Sequence, residues 1–215
     1  MRIRHTSLEA SSFVADLREG WREFTSRTWL WVIVAQFGFV NAFESASEAV
    51  LGPVVAKDHL HAALGWGFVL AAVAVGLIVG GVAMLRLRPD RSLLTATLGF
   101  LLTTPLLAGL AIPLPLAVVI VLGFVAGCGA ETFGVLWDTA MQQEIPQEKL
   151  SRLYAYDAVG SYVLIPLALA FVGSRAGAIG TSDTLWLAFG VNCAITIAVL
   201  GVGDVRSLRR RVVAT

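Results

Sequence analysis

The 215-residue sequence predicts an all-α polytopic membrane protein, six transmembrane helices behind an N-terminal amphipathic helix. Three observations predict it. Hydrophobic residues make up 57% of the chain and charged residues 14%, against about 25% charged in a soluble domain. The mean hydropathy is +0.77, which excludes a disordered chain. The remaining charges stand between long apolar runs rather than alternating with them at the helical period of about 3.6 residues.

The elements follow in order. Residues 1–28 form a cytoplasmic lead-in. Phe13, Leu17, Trp21 and Phe24 share one helical face, with Asp16, Arg18, Glu19, Arg22, Glu23 and Arg27 around the rest. This predicts a helix over roughly 8–26 lying in the membrane interface, apolar side down. Thr6-Ser-Leu-Glu9 has the form of a capping box before it. Residues 29–203 form the bundle, with spans near 29–50, 63–85, 92–111, 116–137, 153–173 and 184–203. From Ser92 to Ala130 the only ionisable residue is Cys128. That run exceeds the ~20 residues one span needs, and Pro113-Leu-Pro115 divides it. Residues 204–215 form a basic cytoplasmic tail.

Charge sets the orientation. Of the 16 Lys and Arg residues, all but Lys57 and Arg175 fall on one side of this arrangement. Positive charge stays inside, so both termini are expected in the cytoplasm and the protein in the cell's inner membrane. An even number of spans agrees. Trp29, Trp31 and Trp137 fall at inner boundaries and Trp66 and Trp186 at outer ones, the places of an aromatic belt.

Several segments resemble a known family. Val50-Leu-Gly-Pro-Val-Val-Ala-Lys57 closes the first span. Gly65-Trp-Gly-Phe-Val-Leu-Ala-Ala72 opens the second, which closes on Gly76-Leu-Ile-Val-Gly-Gly81. The Arg86-Leu-Arg-Pro-Asp-Arg91 and Ile145-Pro-Gln-Glu-Lys-Leu-Ser-Arg152 loops follow. Together they resemble the C-terminal half of a major facilitator superfamily (MFS) transporter, in the bacterial efflux branch called transmembrane secretion effectors. The resemblance implies a 3+3 inverted repeat and proton-coupled efflux of a small amphipathic molecule, drug-like or siderophore-like. It implies a missing six-helix half, supplied by another chain or a second copy. The family's Gly-x-x-x-Asp-Arg loop is degenerate here: counted from Gly81, Leu85 stands at the Asp position and only Arg86 matches.

Ionisable groups inside a bilayer are costly, so each needs a reason. Asn41, Glu44 and Glu48 fall within an arc of about 60° on the first span. Phe39, Phe43, Ala46 and Val50 cover the other side. Asn41 and Glu44 are pathway candidates, Glu44 as a proton or cation site; the alternative is that Glu44 and Glu48 reach outer water. Glu131 on the fourth span is the third candidate, or else a helix–helix hydrogen bond. Gln36, Glu48 and Asn192 rank below these. Arg86, Arg88, Arg91, Asp138 and Arg152 belong to the cytoplasmic gating loops, Asp138 paired with Arg152 or solvated. Asp157 reads as a loop-packing group. Gly76-x-x-x-Gly80 and Gly123-x-x-x-Gly127 predict tight helix crossings.

Competing classes have little support. No nucleophile elbow, P-loop or His-Glu-x-x-His is present, so no enzyme, metal or cofactor is expected. A net charge of +1 gives no bias toward nucleic acid. The alternative to transport is a truncated remnant or a non-transporting accessory membrane subunit.

Overall fold

The structure, a computed structural model, describes residues 18–208. Every regular element among them is helical. Residues 18–25 form α1. α2 (Thr28–Ala46) runs through a π turn (Ser47–Leu51) into α3 (Gly52–His59). Next come α4 (Ala62–Leu87), α5 (Ser92–Leu101), α6 (Thr104–Ala111) and α7 (Leu116–Glu144). The chain finishes with α8 (Gln147–Tyr162), α9 (Ile165–Ile179), α10 (Thr181–Leu200) and the short α11 (Gly203–Ser207).

Five of these stretches are long and apolar enough to cross a membrane: Ala62–Leu87, Ser92–Ala111, Leu116–Glu144, Gln147–Ile179 and Thr181–Leu200. α2 is not among them, because Gln36, Asn41 and Glu44 interrupt its apolar run. The Pro113-Leu-Pro115 turn separates α6 from α7 as the sequence predicts.

Two expected spans, 92–111 and 153–173, are not single helices, and the first runs on past its expected end at 50 through the π turn into α3. Proline lacks an N–H and crowds the carbonyl four residues back. Pro53, Pro105 and Pro166 each stand at the first turn of a second helical piece, α3, α6 and α9. Neighbouring hydroxyls take up the disturbed carbonyls in the second case. Thr104 Oγ1 donates to Leu101 O at 2.9 Å, and Thr103 Oγ1 faces Phe100 O at 2.8 Å. Such side-chain substitution is what makes a broken helix tolerable in an apolar medium.

The two glycine motifs meet each other. A Cβ at Gly76 would stand 2.2 Å from Phe124 O, and one at Gly127 would stand 2.1 Å from Val73 O. α4 and α7 therefore cross backbone against backbone. α7 also lies along α5 and α6. α2 packs on α8, α9 and α10, and α10 on α6. One end of the bundle gathers Leu30, Ile33, Trp137, Met141, Leu153 and Val205, the other Leu51, Leu60, Leu110 and Leu185. Trp29 and Trp137 are buried and stack edge to face at 5.8 Å, so they belong to the core and not to a belt. Trp31 and Trp186 stay exposed.

α1 leans on the bundle through one residue of its expected apolar face. Phe24 is buried in the bundle against Tyr156 of α8, while Trp21 remains exposed beside both. Phe13 and Leu17 lie outside the described residues. A polar clasp holds α1 in place. Glu23 accepts from Arg27 and from Lys149 of α8, each at 3.0 Å. Arg27 also donates to Glu144 O at the end of α7, at 2.8 Å, capping a free carbonyl there. The bonds from Lys149 and Arg27 hold the Glu23 carboxyl below its usual range. The clasp's ionic part is therefore present above the ordinary carboxylate range and is lost as pH falls through the lowered value. Surface pairs contribute about 0.2–1 kcal/mol. Glu23→Gln should accordingly speed amide exchange over 18–25 by about two- to fivefold, with the remaining helices unchanged. Exchange equal to wild type would show that Phe24 alone holds the helix.

Candidate functional site

A cavity of about 560 Å³ opens between α2, α7 and α8. Its residue spacing follows from helix geometry. On α2, Phe37, Asn41 and Glu44 recur at four and three residues and so face the same way. Phe133, Gly134, Trp137 and Asp138 line it from α7, and Tyr154, Asp157, Ser161 and Tyr162 from α8. Gly134 leaves room, since nothing lies within 4 Å of the Cβ position. Phe37, Phe100 and Phe133 stack on one another, with centroids 4.6–5.6 Å apart, and Trp137 continues the stack.

Three acidic side chains punctuate these aromatic walls, each with neutral hydrogen-bond partners. Asp157 accepts from Trp137 Nε1 and from Ser161 Oγ, both at 3.0 Å. Asp138 accepts from Tyr154 OH at 3.0 Å. Glu44 Oε1 is met by Thr103 Oγ1 and, at 3.5 Å, by Asn192 Nδ2. Asn41 Nδ2 donates to Ser161 O at 3.1 Å and ties α2 to α8.

Glu44 occupies a particular place. It and Asn41 also line a second cavity of about 220 Å³, with Ser45, Glu48 and Thr103. Ser45 and Glu48 in turn line a third, more open one beside Pro53 and Trp66. The π turn lies along this stretch, at the point where α2 must pass Pro53. Thr103 adds a constraint. Its hydroxyl faces both Glu44 Oε1 and Phe100 O but carries one hydrogen. Both contacts become hydrogen bonds when Glu44 bears a proton and donates it to Thr103, which then donates to Phe100.

The structure brings together Asn41, Glu44, Asn192 and, one turn on, Glu48. Glu131 lies elsewhere: its side chain packs at Gly81 of α4, where a Cβ would meet Glu131 Cγ at 3.3 Å. Gln36 is buried and donates to Thr196 of α10 at 3.2 Å. Arg86, Arg88 and Arg91 are exposed at the α4–α5 turn, where Arg88 adopts a left-handed φ of 44° to end the helix. Arg152 pairs with Glu19 at 3.8 Å, and Asp138 takes Tyr154 instead. Asp157 lies in the cavity, with Trp137 and Ser161 fixing its carboxylate.

Comparison with family models, with curated proteins and with solved structures finds no match to this chain.

Proposed function

We propose that the chain is the C-terminal half of a transporter of the MFS type, carrying a small amphipathic molecule out of the cell in exchange for protons. In this reading α2 with its π turn and α3 is the first of six crossings, and both termini are cytoplasmic. The observation that carries it is the position of Asn41 and Glu44 in the walls of two successive cavities. A group reached from both sides in turn is what alternating access requires. In this reading a proton carried by the Glu44 carboxyl, beside the Thr103 hydroxyl, is the exchangeable ion.

The packing order supports the inverted repeat. Exchanging the first crossing with the fourth, the second with the fifth and the third with the sixth maps α4 on α7 onto α8–α9 on α2. It maps α5–α6 on α7 onto α10 on α2, and α6 on α10 onto itself. The exposed apolar residues of α4 and α9, among them Ile78, Leu85 and Leu167, are the surface left for lipid and a second half.

The test is reconstitution. The chain would be placed in proteoliposomes, alone and with a six-span partner, and loaded with a fluorescent amphipathic dye. An imposed pH gradient should drive dye movement that collapses with a protonophore. Dye flux indifferent to the gradient in both preparations contradicts proton coupling.

A further inference from the structure

We infer that the α2–α7–α8 cavity binds a hydrophobic organic cation. The inference rests on the reading of this cavity as the substrate site and names the chemistry that fits it.

Charge comes first. Glu44, Asp138 and Asp157 all face the cavity, and no Lys, Arg or His is among its described lining residues. Their hydrogen-bond partners are Thr, Asn, Tyr, Trp and Ser, all neutral. An anion would enter against the Asp138 and Asp157 carboxylates, with no basic side chain among the described lining residues to receive it. A cation would supply the counter-charge these groups lack.

Shape and softness come second. The carboxylates are dispersed around the wall: no three His, Cys, Asp or Glu side chains among the described residues converge as a metal site does. A bare ion needs oxygens at about 2.0–2.6 Å on several sides. A large ion with spread charge does not. The volume, about 560 Å³, lies in the range that accepts drug-sized molecules, roughly 300–1,000 Å³.

The walls come third. Phe37, Phe133, Trp137 and Tyr162 present aromatic surface between the acids. Ring faces attract cations and ring bodies accept apolar substituents. An ion whose charge is buried under aryl or alkyl groups uses both at once. A neutral molecule would use only the walls.

The test uses two probes of the same shape and opposite charge, tetraphenylphosphonium and tetraphenylborate. Binding to the purified full chain in detergent would be measured calorimetrically, with partition into protein-free micelles subtracted. The phosphonium should bind saturably and at least about tenfold tighter than the borate. Asp157→Asn keeps the Trp137 contact and should weaken phosphonium binding about tenfold. Phe133→Leu should weaken it about three- to fivefold. If Asp157→Asn fails to fold, Asp138→Asn at the exposed rim carries the same test with a smaller loss. Equal affinity for the two probes overturns the inference. So does undiminished phosphonium binding in folded Asp157→Asn and Asp138→Asn. Phosphonium selectivity in a chain that shows no gradient-driven flux would leave the cation site standing and remove the transport reading.

Discussion

Glu44→Gln in the complete transporter should reduce pH-driven transport at least about a hundredfold while leaving expression and membrane insertion unchanged. Glutamine keeps the size of the side chain, and its Nε2 can donate to Thr103 Oγ1 as a protonated Glu44 does. Thr103 then still donates to Phe100 O, so the kinked α5–α6 junction stays satisfied. Only the exchangeable proton is lost. Exchange of substrate for substrate, which moves no net proton, should therefore persist in the variant. Glu131→Gln is the matched comparison. Glu131 packs at Gly81, away from the cavity walls, and its replacement should cost little. Normal pH-driven efflux by Glu44→Gln would return Glu44 to a structural role beside Thr103.

The second large effect concerns the fold. Gly127→Val should prevent accumulation of folded protein. The new Cβ would sit 2.1 Å from Val73 O and 2.9 Å from Leu77 N. Both obstacles are backbone of α4, so no side-chain rotation relieves them. Separating two helices along their whole crossing costs about 3 kcal/mol or more. Gly76→Val should act alike from the other side, against Phe124 O at 2.2 Å. Gly134→Ala is the contrast on the same helix. Nothing lies near its Cβ position, and replacing a helical glycine by alanine adds about 0.5–1 kcal/mol. Fluorescence-detected gel filtration and thermal melting in detergent would separate the cases. A monodisperse Gly127→Val with wild-type Tm would mean that α4 and α7 do not cross where the two glycine motifs meet.

Sequence reasoning reached these features unequally. The glycine motifs were legible because small residues four apart have one common use between apolar helices. The Asn41–Glu44 stripe was legible because two polar groups on one arc of an apolar helix need a shared destination. The breaks at Pro53, Pro105 and Pro166 were not taken from the hydropathy, which runs on through them. The prolines themselves were the signal, together with Thr103-Thr104 just before Pro105. Asp157 was read as a loop-packing group because a carboxylate at the start of a span has water nearby. Its partner Trp137 is 20 residues away and on another helix, a pairing that no local pattern announces. Glu131 and Asp138 share a face by spacing, yet only Asp138 reaches the cavity. Spacing gives a direction from the axis, and the neighbour met there depends on height: α4 at Gly81, open space beside Gly134. Phe24 shows the same limit. Its apolar face was visible, but that Tyr156, 132 residues further along the chain, would cover it was not.

The central claim is that the polar stripe of α2 faces a path open in turn to both sides of the membrane. Cysteine accessibility tests it most directly. Cys128 and Cys193 would be replaced, and single cysteines introduced by Asn41→Cys and, as a control on the opposite exposed face, Phe39→Cys. Each would be treated in the complete transporter with a membrane-impermeant maleimide, added first to one side and then to the other. The account predicts that Asn41→Cys reacts from both sides and is protected by bound substrate, while Phe39→Cys, bathed in lipid, reacts from neither. An unreactive Asn41→Cys together with a reactive Phe39→Cys would place the stripe in packed protein and the water on the wrong face of α2.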